Sequence, residues 1–92
     1  MNKILIIEDD LEINVLLADF LKEKGYAVHC QYDGLHVLDF LNKEKIDLII
    51  LDIMLPYRSG DIILSDVRKK FTIPVIIISA KETTQNKIDL LR

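Results

Sequence analysis

The chain has little of what marks a secreted, membrane-spanning or metal-finger protein. Cys30 is its single cysteine, so no intramolecular disulfide can form, and its simplest role is that of a small buried apolar residue at a strand end. The two histidines, His29 and His36, join no Cys/His ligand pattern. No apolar run approaches the roughly 20 residues needed to cross a bilayer. Asn2-Lys3 leads into an apolar run that acidic residues stop at Glu8, which is not how a signal peptide reads, so the cytoplasm is the expected compartment. The broad basic field of a nucleic-acid surface is missing: 12 basic and 15 acidic residues are mixed along the chain, for a net charge of -3. The longest basic run, Arg68-Lys69-Lys70, ends an amphipathic stretch and reads as a solvated helix end, so direct DNA binding by this segment is not expected. No Gly-rich phosphate loop follows the first apolar run, which argues against dinucleotide and P-loop enzymes. No linker, repeat or low-complexity segment divides the 92 residues, which suffice for one small domain and not for two.

Half of the residues are hydrophobic, and their arrangement is informative. Ile4-Leu5-Ile6-Ile7, Leu48-Ile49-Ile50-Leu51 and Val75-Ile76-Ile77-Ile78 are short, β-branched and without alternation. Parallel strands covered by helices on both faces read this way. Ala27 to Cys30 is a weaker, more polar strand suited to a sheet edge. Between the strands lie helical patterns. Ile13, Leu16, Leu17, Phe20 and Leu21 predict one apolar stripe on a first helix, stopped at Gly25 after Lys22 and Lys24. Val37, Leu38 and Leu41 predict a second, which carries His36. Ile63, Val67 and Phe71 predict a third, ended by Pro74. Thr84 to Arg92 begins a fourth, with Ile88 and Leu91 inward. Tyr26, Phe40 and Phe71 are expected to pack, and Tyr32 and Tyr57 to be partly exposed. Alternating strands and helices make an α/β, doubly wound parallel sheet, in which working groups collect at the carboxyl ends of the strands.

Acidic residues stand at those ends. The first strand runs into Glu8-Asp9-Asp10, the third ends in Asp52 and the fourth in Ser79. Asp10 can cap the following helix. Glu8 and Asp9 close a buried strand, and beside Asp52 they would repel one another without a cation. An oxygen-only ligand set suits Mg²⁺ or Mn²⁺, which Asp9 and Asp52 would bind with help from Glu8. Asp52 has a bland reading as a turn residue before Pro56, but Ile53-Met54-Leu55 is too apolar for an exposed turn. Beside a divalent cation its carboxylate can act as nucleophile toward a phosphoryl donor. Ser79 is either a polar strand terminus or a hydroxyl donor to a phosphoryl oxygen, with the backbone N–H of Ala80 helping.

With these residues in hand the chain resembles the receiver domain of bacterial two-component response regulators. The resemblance rests on Lys3 to Asp10, on Asp47 to Pro56 with Ser59-Gly60, and on Ile73 to Ala80, in that order. It implies a flavodoxin-like fold and phosphorylation of Asp52 by a partner histidine kinase. It further implies Mg²⁺ supported by Glu8 and Asp9, a metal-ligating backbone carbonyl at Met54, and phosphoryl contact by Ser79. Leu55-Pro56 with Ser59-Gly60 resembles the winged-helix transcription factor branch, whose members reach DNA through a following output domain. Measured against the family, the fifth strand with its Lys-Pro pair and the fifth helix are absent. Residues 1–92 are therefore expected to be a receiver domain incomplete at its carboxyl end, prone to self-association. In the intact domain a phosphoacceptor able to gain and lose its own phosphoryl group is expected, rather than a turnover enzyme. The competing reading is a non-phosphorylated, receiver-like interaction or dimerisation module.

Overall fold

The structure is a computed structural model, and it describes residues 2–55 and 59–78. Among the described residues four strands, β1 (Lys3–Ile7), β2 (Ala27–Gln31), β3 (Leu48–Asp52) and β4 (Val75–Ile78), alternate with α1 (Leu11–Glu23), α2 (Val37–Lys43) and α3 (Gly60–Lys70). All strand pairings are parallel, in the order β2-β1-β3-β4, so the more polar β2 lies at an edge as its composition suggests.

The unbroken apolar runs follow from helices on both faces. Leu5, Ile7, Ile49 and Leu51 pack with Val37, Leu41, Ile63 and Val67 on the side of α2 and α3. Ile4, Ile6 and Ile50 pack with Ala18 on the side of α1. Each fully buried Leu or Ile contributes roughly 1.5–3 kcal/mol over its exposed state, so the β1–β3 pair is the energetic centre of the domain. β4 departs from this pattern. Its Ile76 is 51% exposed, because among the described residues no helix covers that strand on the α1 side.

Helix α1 is closed at both ends by local chemistry. Asp10 is its N-cap and accepts the Ile13 N–H at 3.2 Å. At the other end Gly25 takes φ 96°, its N–H donating to Lys22 O and that of Tyr26 to Leu21 O. These are the two bonds of a Schellman turn, whose left-handed residue favours glycine.

The buried face of α1 differs from the expected stripe. Asn14 and Ala18 are its buried residues, while Leu16 and Phe20 are 70% and 55% exposed. The helix is turned so that a small alanine and an anchored amide meet the sheet, with Leu17 and Leu21 flanking them. Phe20 lies outside, under the Lys24 ammonium at 5.3 Å. Tyr26, expected to pack, is likewise exposed, and His36 is the N-cap position of α2 rather than a helical residue. Phe40 and Phe71 do pack against the core. Arg68 is more than a solvated helix end: its Nη1 donates to Ile73 O at 2.6 Å and ties the exit of α3 to the approach of β4. Cys30 is half-buried, and burial pushes its thiol pKa up, with Lys22 opposing, so it is a packing residue and a poor nucleophile. The expected helix from Thr84 and the position of Tyr57 lie outside the described residues.

Candidate functional site

The chain enters and leaves the sheet so that β1 and β3, neighbours in space, send their following helices to opposite faces. Their carboxyl ends therefore flank a crevice, the switch point of such a sheet. Glu8 and Asp9 follow β1 there, and Asp52 ends β3. Carboxylate oxygens of all three lie within 4.8 Å of one another. Glu8 and Asp52 are fully buried and Asp9 is partly exposed.

Main-chain donors orient these carboxylates. Glu8 Oε2 accepts the N–H of Asp10 at 2.8 Å, and Asp52 Oδ1 accepts that of Met54 at 3.0 Å. Asp10 itself faces α1 as its cap, so the acidic triplet divides into two site residues and one helix start. At the 4.8 Å limit, each pair of charged carboxylates repels by roughly 3 kcal/mol at an effective dielectric of about 20. A hard divalent cation removes that repulsion. Three carboxylates without nitrogen or sulfur donors are the ligand chemistry of Mg²⁺ or Mn²⁺, so the residues present fit such an ion.

Two further residues shape the site. The N–H of Gly60 donates to Ile53 O at 2.9 Å, and a Cβ on Gly60 would lie 2.5 Å from Ile53 Cα and 2.8 Å from Asp52 O. The sequence shows Gly60 only as part of a pattern; the close approach is the reason for it. Asn14, fully buried on α1, donates from Nδ2 to Glu8 O at 2.9 Å and to Gln31 O at 3.1 Å. Hydrophobic periodicity does not select Asn14; the signal for it is a polar residue four before Ala18 on one helix face. Met54 has its side chain half in solvent, two residues beyond Asp52. Ser79 and Ala80 lie outside the described residues; Ile78, just before them, pairs in register with Asp52.

A parallel α/β sheet in this strand order, with buried acids at its switch point, is a domain of the flavodoxin-like receiver class. Comparison with known proteins narrows this further. The model of the response regulator receiver domain matches residues 4–92, and the chain belongs to that family. It is similar to the receiver domain of the Francisella response regulator 1452, with 35% identity over 99% of this chain and 76% of that one, at a TM-score of 0.83. The Thermotoga maritima response regulator TrrA, solved with Mg²⁺ and a beryllium fluoride, shares 32% identity over 98% of this chain and 77% of its own, TM-score 0.84. TrrA solved in complex with the histidine kinase ThkA matches at 31% identity over 92% of this chain and 74% of that one, TM-score 0.82.

Proposed function

We propose that this receiver accepts a phosphoryl group on Asp52 from a partner histidine kinase, in a reaction that depends on Mg²⁺ or Mn²⁺. The observation that carries the proposal is the convergence of Glu8, Asp9 and Asp52 at the β1–β3 crevice, with Asp52 buried and its Oδ1 held by Met54. Glu8, Asp9, Asp52 and the backbone carbonyl of Met54 would hold the cation, which supplies charge neutralisation for the carboxylates and the incoming phosphoryl oxygens. The Met54 N–H holds one oxygen of the Asp52 carboxylate, which is fully buried at the end of β3. A carboxylate oxygen of Asp52 forms a bond to phosphorus as the phosphorus–nitrogen bond of the donor histidine breaks. The nitrogen leaves with the bonding electron pair. The Ser79 hydroxyl and the Ala80 N–H are assigned as donors to the transferred phosphoryl oxygens. The TrrA complexes support the reading, since that similar protein was solved both with Mg²⁺ and a beryllium fluoride and with a histidine kinase.

The reading extends to the winged-helix transcription factor branch, acting in the cytoplasm through a separate DNA-binding output domain, on the strength of the Leu55-Pro56 and Ser59-Gly60 pattern. Among the described residues no helix is long and apolar enough to cross a membrane. Intact mass spectrometry after incubation with a small phosphodonor and Mg²⁺ tests the central claim. One added phosphoryl group is expected on the wild type and none on Asp52→Asn; an equal gain in the variant rejects Asp52 as acceptor. A second reading, an interaction module that self-associates, is favoured by the exposed Leu16, Phe20 and Ile76.

A further inference from the structure

Asn14 is an expensive residue to place where it is. It is fully buried on the inner face of α1, one turn from Ala18, where an apolar side chain would meet the sheet more favourably. Among the described residues its Oδ1 has no hydrogen-bond partner, so its two Nδ2 hydrogens are the part of the amide in use. They go to Glu8 O at 2.9 Å and Gln31 O at 3.1 Å, two acceptors that also settle which end of the amide is nitrogen.

Those two carbonyls are not incidental to the site. Gln31 O also accepts the N–H of Glu8 at 3.0 Å, so Asn14 and Glu8 meet on one oxygen at the end of β2. Asn14 N–H donates to Asp10 O at 2.9 Å, Asp10 Oδ1 accepts from Ile13, and Glu8 Oε2 accepts from Asp10. The turn from Glu8 to Asp10 is therefore closed by a hydrogen bond donated to β2 on one side and by hydrogen bonds donated from α1 on the other. The amide of Asn14 is the link that reaches both. Holding Glu8 O fixes the plane of the peptide between Glu8 and Asp9, and that plane sets where the Asp9 side chain leaves the backbone.

We infer that Asn14 is a positioning residue for the cation site, orienting the Glu8–Asp9 peptide so that Asp9 and Glu8 present their carboxylates to the ion that Asp52 shares. The inference rests on the proposed cation binding by these acids. Outer residues that orient metal ligands typically change affinity by about 10–100-fold when lost. The test is Mg²⁺ titration of the whole chain followed by nitrogen–proton NMR, comparing wild type, Asn14→Ala and Ala18→Gly. Ala18→Gly loosens the same buried helix face without touching the turn, and so reports a merely structural weakening. The expected result is a rise of about tenfold or more in the Mg²⁺ dissociation constant of folded Asn14→Ala, with Ala18→Gly close to wild type. Equal affinities in wild type and Asn14→Ala overturn the inference, as does an equal loss in both variants. Should Asn14→Ala not fold, the wild type alone decides. The Asn14 side-chain NH₂ signals must then move with the same midpoint as the Asp9 backbone amide, and fixed Asn14 signals overturn the role. Wild-type protein whose Asp9 and Asp52 signals ignore millimolar Mg²⁺ defeats the cation site itself, and this inference with it.

Discussion

Replacing Asp52 by asparagine should make the metal-free chain more stable, even though it removes the residue on which the proposed chemistry depends. Asn keeps the shape of Asp and an oxygen to accept the Met54 N–H now bound at 3.0 Å, so packing and that hydrogen bond survive. What disappears is one of three carboxylates gathered within 4.8 Å. Each charged pair at that distance costs roughly 3 kcal/mol at an effective dielectric of about 20, and Asp52 belongs to two pairs. Asp9 is partly exposed, which weakens its share, so a net gain of about 1–3 kcal/mol is expected. Urea unfolding with a chelator present measures it directly. Adding Mg²⁺ then reverses the order of benefit. At ten times its dissociation constant a ligand stabilises the folded state by about 1.4 kcal/mol; the wild type should gain this and Asp52→Asn should gain much less. A variant no more stable than wild type in chelator, or one with an undiminished Mg²⁺ response, would refute the electrostatic account of the site.

Gly60→Ala should cost about 1–3 kcal/mol, since its Cβ would meet Ile53 Cα at 2.5 Å. It should also slow phosphoryl uptake by tenfold or more by displacing the end of β3; normal uptake rates by mass spectrometry would contradict this. Gly25→Ala meets nothing within 4 Å, so only its φ of 96° is penalised, by about 1–2 kcal/mol. That should appear as a lower thermal midpoint with unchanged Mg²⁺ affinity. Exposed Leu16, Phe20 and Ile76 should make the chain self-associate. Light scattering coupled to size exclusion should give a mass above 10.6 kDa that falls on dilution and in a Phe20→Lys/Ile76→Lys variant; a strict monomer in the wild type would count against it.

Much of the fold is legible in the sequence because parallel strands buried on both faces need unbroken apolar runs, and β1 and β3 have them. The weaker β2 is equally readable as an edge, and Asp10 and Gly25 mark the ends of α1 by cap chemistry alone. The candidate site is legible for the same reason: Glu8, Asp9 and Asp52 are charges where buried strands stop. The rotation of α1 is not legible from hydrophobicity, because the residues that meet the sheet are Asn14 and Ala18. One is polar and the other small, so a search for large apolar side chains selects Leu16 and Phe20 instead. Nor does Val75-Ile76-Ile77-Ile78 reveal that Ile76 is half in solvent, since a run of isoleucines reads alike whether one face or two are covered. The necessity of Gly60 is a property of distance, and no pattern of residue types contains a distance.

That distance has a mechanical consequence. With no side chain between them, the start of α3 rests directly on the backbone of Asp52 and Ile53, and the 2.9 Å bond from Gly60 to Ile53 O fastens the two. There is no soft layer there to absorb a small displacement. Close-packed backbone of this kind transmits strain, so the end of β3 and the start of α3, the helix that carries the core residues Ile63 and Val67, are expected to move together.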